Sequence, residues 1–105
     1  MYTWNVTLKL RPGGAPEFRR LLEQKIIPLL RTQKGFQDEI TLVAAERNEA
    51  LIISFWDNQE NADDYNHVAY LDVLRTISKV VEDMPIMETF EVVDSAVQEF
   101  GATAA

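Results

Sequence analysis

The run Leu51-Ile52-Ile53-Ser54-Phe55-Trp56-Asp57-Asn58-Gln59-Glu60-Asn61-Ala62-Asp63-Asp64-Tyr65-Asn66-His67-Val68-Ala69-Tyr70-Leu71 decides the fold. Ala50 to Trp56 reads as a strand with apolar residues on both faces. Asp57 or Asn58 can cap the helix that follows, and Asp57 with Glu60 has the three-residue spacing of a capping box. The helix is short and polar, to about Asn66, and carries Tyr65 near its end, with Tyr70 five residues on. A strand that hands a large ring directly to a helix start places that ring where sheet, helix and loop converge, a favoured position for a small-molecule pocket.

Upstream, Tyr2, Trp4, Val6, Leu8 and Leu10 alternate with Thr3, Asn5, Thr7 and Lys9, the period of a strand with one buried face. Arg11 to Pro16 is turn chemistry, and Pro16 suits the first turn of a helix. Phe18, Leu21, Leu22, Ile26, Leu29 and Leu30 then define an apolar helical stripe to about Lys34. Pro28 inside it predicts a kink or a shifted last turn. Gly35 is a natural helix stop, and Phe36 to Ala45 reads as a strand with Phe36, Ile40, Leu42 and Ala44 on one face. Glu46 to Glu49 is a polar hairpin connection.

Downstream, Tyr70, Leu71, Leu74, Ile77, Val80 and Val81 form the apolar side of a second helical stretch that ends near Asp83, before Pro85. Met87 to Ser95 reads as a fourth strand. The domain is expected to span 1–97, with 98–105 a tail that is small and polar apart from Phe100.

The order strand, helix, strand, strand, helix, strand is the split βαβ unit. It is an α+β, ferredoxin-like sandwich with an antiparallel sheet and helices on one face. A third strand apolar on both faces then needs a second cover, which points to a partner chain. With this element order and length, Lys34-Gly35-Phe36 before the second strand, and Phe55-Trp56-Asp57-Asn58-Gln59-Glu60 after the third, the chain resembles the antibiotic biosynthesis monooxygenase (ABM) family of the dimeric α+β barrel superfamily. The resemblance runs from Tyr2 to Val97 and rests on pattern more than identity. It implies a homodimer whose two sheets pack face to face as a barrel.

Composition narrows the function classes. The chain has 105 residues, 47% apolar and 26% charged, enough for one ordinary core. It has no cysteine, so sulfur-ligated zinc, iron–sulfur centres and thiolate nucleophiles are excluded. No basic leader and no run of eighteen apolar residues is present, giving the expectation of a soluble cytoplasmic protein with no membrane partner. Seventeen acidic against ten basic residues give a net charge of −7, with the basic residues spread around a helix, so no nucleic-acid partner is expected.

No phosphate loop, helical histidine pair or carboxylate cluster at metal spacing stands out, and no metal site or cofactor is expected. Asp63-Asp64 point in different directions on a helix and read as solvated surface. The candidate catalytic residues are His67, the only histidine, Asn5 on the polar face of the first strand, and Arg75, which would stabilise an enolate if it pointed inward. Trp56, Tyr65 and Tyr70 are either core packing or the wall of a flat cavity for a small aromatic or quinone-like ligand.

The resemblance divides at this point. Haem-degrading members use an inward asparagine, a tryptophan and a histidine ligand. Here Asn5 could match the first, but Tyr65 and Arg75 stand at the other two places, and arginine has no lone pair for iron. Other members resemble cofactor-independent monooxygenases that oxidise phenolic polycycles or quinols with O2, and these parts suit that chemistry. The alternatives are a ligand-binding barrel without turnover and an isomerase or dehydratase acting on a small ketone.

Overall fold

The apolar face of the first strand is buried at Trp4, Val6, Leu8 and Leu10 while Lys9 is exposed; Thr3 on the other face is also buried, its hydroxyl bonded to the Phe90 carbonyl. The computed structural model describes residues 1–96, so Val97 and the expected 98–105 tail with Phe100 lie outside the described residues. Strands β1 (Tyr2–Lys9), β2 (Phe36–Ala44), β3 (Glu49–Trp56) and β4 (Ile86–Glu91) form one antiparallel sheet in the order β2-β3-β1-β4. Helices α1 (Ala15–Leu21), α2 (Ile27–Arg31), α3 (Gln59–Val68) and α4 (Tyr70–Ile77) supply the buried residues that meet one face of it. This is the α+β, ferredoxin-like arrangement that the element order predicts.

Register assigns the faces. Trp4 pairs with Ser54, Val6 with Ile52 and Leu8 with Ala50, so the even positions of β1 and β3 share the helix-covered face. The opposite face carries Asn5, Ile53, Leu51, Ile40, Leu42 and Phe90 on neighbouring strands. Of these, Leu42 and Phe90 are more than half exposed.

Phe36 does not share a face with Ile40, Leu42 and Ala44 as the alternation suggests. A register shift between Phe36 and Asp38 reverses the pleat, and Phe36 packs edge-on against Trp56 on the helix side. The first helix likewise breaks where Pro28 predicts trouble. A π-helical turn spans Leu22–Ile26, and α2 restarts with Pro28 in its first turn, where a missing N–H has no bond to lose.

The second helical stretch ends at Ile77 rather than Asp83. Arg11 N donates to the Val80 carbonyl at 2.8 Å, Glu82 N to the Lys9 carbonyl at 2.8 Å, and Leu10 bridges Val81. Those backbone groups extend β1 and are unavailable to a helix. Leu71 is exposed and Val73 takes its place in the core, because the helix phase is set by Tyr70, Val73 and Ile77. The fourth strand ends at Glu91, short of Ser95, and one further bond, Val92 N to the Met1 carbonyl at 2.9 Å, follows it at the chain's first residue.

The corner between β3 and α3 is locked by three bonds. Asp57 N donates to the Gly35 carbonyl at 2.9 Å, Asn61 Nδ2 to Asp57 Oδ1 at 2.7 Å, and Asn61 N to Asn58 Oδ1 at 2.9 Å. Asn58 is therefore the N-cap, and Asp57 instead ties the helix back to the loop before β2. Gly35 sits at φ +82, and a Cβ there would strike both the Asp57 carboxylate and the Asn61 amide, whereas Gly13 at φ +76 has open space around it. Gly35→Ala is expected to cost about 2–4 kcal/mol and Gly13→Ala only about 1–2 kcal/mol, read as shifts of the urea midpoint. Equal costs at the two sites would contradict the locked corner.

Candidate functional site

β3 ends by setting Trp56 under α3. Its ring is 0% exposed and stacks on Tyr65 at 4.9 Å and 29°. Its indole N–H donates to Ser54 Oγ at 2.9 Å, and that hydroxyl donates to the Trp4 carbonyl at 3.2 Å. On the adjacent strand, Trp4 meets Tyr65 edge-to-face at 6.0 Å and 89°, and Tyr70 at 5.5 Å and 71°. Tyr65 and Tyr70 are themselves 6.0 Å apart.

Local sequence explains the placement. Ala62, fully buried one turn before Tyr65, is small enough to let the rings approach the sheet. Ala69 ends α3 and begins α4, so Tyr70 starts a new helix beside the first rather than continuing it. The result is a four-ring cluster between sheet and helices, closed by Trp56 at its base and half-open at Tyr70.

Burial holds the Tyr65 phenol well above the usual tyrosine value, with the neighbouring Tyr70 adding to the effect, and burial raises Tyr70 too. Both are therefore neutral donors in the folded protein at neutral pH. The sign for stability follows directly. The unfolded chain loses phenol protons near pH 10 while the folded chain keeps them, so this contribution is complete below about pH 10 and falls as pH rises further. Urea midpoints that stay constant from about pH 9 to 12 would contradict the buried phenols.

Trp56, Tyr65 and Tyr70 are thus brought together, with Trp56 beneath the cluster instead of on an open wall. The polar candidates are not with them. Asn5 faces the opposite side of the sheet, where its Oδ1 is buried without a partner. His67 is exposed, with Nδ1 at 2.8 Å from the Asp63 carbonyl, which makes that nitrogen the N–H. Arg75 is exposed and pairs with Asp72 at 3.5 Å, a contact of little energetic weight in water.

The ring that sequence reading missed is Trp4, read there only as one of the alternating apolar positions. No pattern of residue types carried that signal, since it depends on which acceptor the Ser54 hydroxyl serves. A separate cavity of about 430 Å³ opens between α1, the π turn and β2, floored by Phe18 and Leu22, with Arg19 and Glu23 on its lining. Nearby Glu39 is raised by burial and accepts from the Thr41 hydroxyl. Among the described residues no group of three or more His, Cys, Asp or Glu could hold a metal ion, and no helix is long and apolar enough to cross a membrane.

Known structures share this layout. SnoaB, a cofactor-independent oxygenase from Streptomyces nogalater, superposes with a TM-score of 0.74 at 13% identity, covering 92% of this chain and 97% of its own. Rv0793 from Mycobacterium tuberculosis gives 0.71 at 16% identity, covering 91% and 98%. A protein of unknown function from Nitrosomonas europaea gives 0.76 at 13% identity, covering 93% and 94%. At such identities the likeness speaks for the fold alone. No curated protein matches in sequence. The family profile described as antibiotic biosynthesis monooxygenase, however, matches residues 1–75, from β1 through the ring-bearing corner and into α4, and the chain belongs to that family.

Proposed function

We propose that this chain is a small cofactor-independent monooxygenase that oxidises a phenolic or quinol-type aromatic with O2. The observation that carries the reading is the cluster of Trp4, Trp56, Tyr65 and Tyr70, one stacked pair with the other contacts edge-on or tilted, which opens at Tyr70. A flat substrate enters the cluster at the half-buried Tyr70, while Trp56 holds Tyr65 in position from below. Chemistry of this kind asks little of a protein. An electron-rich substrate anion reacts with O2 directly, and the site supplies orientation, a dry environment and donors for the anion. For an anthrone the balance is substrate plus O2 giving quinone plus water: one oxygen atom enters the new carbonyl and the other leaves with both hydrogens of the oxidised carbon. Asn5, His67 and Arg75 have no part in this reading, since Asn5 lies behind the sheet and the other two face solvent.

The same reading makes the protein a cytoplasmic homodimer closed through the open sheet face, with a small aromatic or quinone-like ligand in each protomer. A second reading, ligand binding without turnover, is favoured by one feature. The two phenols of the cluster are raised by burial and stay protonated at neutral pH, so neither is a ready base.

Oxygen uptake with a panel of reduced naphthoquinols and anthrones, corrected for spontaneous oxidation, separates the two. Saturable uptake above background is expected. A panel that stabilises the protein without any uptake would replace the enzyme with the binder.

A further inference from the structure

Trp4 and Trp56 are the two tryptophans of the chain, and both are buried on the same face of the sheet. Ser54 Oγ serves Trp56, accepting its N–H at 2.9 Å, and spends its own proton on the Trp4 carbonyl at 3.2 Å. The Trp4 indole N–H is left with no acceptor although the residue is only 2% exposed. A buried donor without a partner is costly, and folded proteins keep few of them. The Trp4 ring meets Tyr65 and Tyr70, each roughly edge-on, and an aromatic ring is a weak substitute for an oxygen acceptor.

Tyr70 is the movable member of that pair. It is half-buried, it begins α4, and no side chain caps the turn in which it sits. Turning this ring outward would give up its contacts with Trp4 and Tyr65 and open the cluster at its half-buried end, while Trp56 and its bond to Ser54 stay in place.

We propose that the Trp4 indole N–H is the group that recognises the substrate's oxygen, with Tyr70 turning aside to admit a fused aromatic phenol whose oxygen accepts from Nε1. The proposal rests on the placement of the aromatic substrate in this cluster. It assigns selectivity to a residue outside the His67, Asn5 and Arg75 set. A hydrocarbon of the same shape leaves the N–H unserved, whereas a phenol satisfies it, and its anion satisfies it better because the bond is then charge-assisted. The indole cannot lose its own proton in this range, so it favours the anion without quenching it.

The test uses the whole protein under argon, so that binding is read without turnover, with 1-naphthol and naphthalene as probes. The two indole N–H resonances of nitrogen-15-labelled protein are followed, Trp4's being identified through its contact with the Tyr70 ring. On titration with 1-naphthol the Trp4 signal is expected to move downfield saturably while the Trp56 signal holds. Trp4→Phe keeps a ring and deletes the donor. It is expected to lose about tenfold or more in affinity for 1-naphthol and to bind naphthalene nearly as before. If Trp4→Phe does not fold, the titration of the unaltered protein decides alone. An unmoved Trp4 signal in naphthol-saturated protein, an equal loss for both probes, or no saturable naphthol binding overturns the proposal. Oxygen uptake fails independently: naphthol held by Trp4 with no turnover of any quinol would remove the monooxygenase and leave the recognition intact.

Discussion

Trp56→Ala is expected to destabilise the fold by about 3–5 kcal/mol, a large share of the about 5–15 kcal/mol that holds a domain of this size together. The ring is fully buried, stacked on Tyr65 and met edge-on by Phe36, so its removal leaves a void that three elements share. It also strips Ser54 Oγ of the donor it accepts from, inside the core. Trp56→Phe retains most of the contact area and loses the hydrogen bond, and about 1–3 kcal/mol is expected. Urea unfolding of the two variants reads both costs. Near-equal midpoints for Trp56→Ala and the parent protein would mean that Trp56 is no keystone, and that the four-ring cluster is not held as described.

Leu42→Glu is expected to leave each protomer folded and to abolish association. Leu42 is 53% exposed on the sheet face away from the helices, so a carboxylate there is solvated in the single chain. In a two-fold face-to-face dimer every substitution occurs twice, and each new charge would be taken out of water at several kcal/mol. A rise in the dissociation constant of about a thousandfold, or about 4 kcal/mol, follows. Leu71→Glu is the control. It replaces a leucine that is 54% exposed on α4, on the helix side, and it is expected to leave association unchanged. Sedimentation of the parent chain at twice its own mass, of Leu42→Glu at one chain mass, and of Leu71→Glu at twice again is the expected set. A parent chain that sediments as a monomer contradicts the closed barrel.

Most of the fold was legible because its signals are periodic. Five apolar residues alternating from Tyr2 to Leu10 leave a single way for β1 to bury a face, and the stripe from Phe18 to Leu30 leaves a single way for the first helical stretch to lie. What was not legible depends on single backbone events. The shift between Phe36 and Asp38 reverses one residue's face, and no side-chain pattern encodes it. The pairing of Val80 and Glu82 with the end of β1 stops a helix whose apolar period continues past it. The site divides in the same way. Tyr65 and Tyr70 were visible as rings at helical positions, and the alternation already put Asn5 on the polar face, which register makes the side away from the rings. Trp4 needed more still, because its unserved N–H exists only once Ser54 is known to be committed to Trp56.

The central claim is insertion of one oxygen atom from O2 into an aromatic substrate, and labelled oxygen tests it most directly. Under an atmosphere of oxygen-18, the protein and an anthrone from the uptake panel are expected to give a quinone carrying one labelled atom, with the second label recovered in water. The rate of labelling should saturate with substrate. A quinone labelled no faster than in the protein-free control would contradict the account and leave a ring-lined binding site on a family fold.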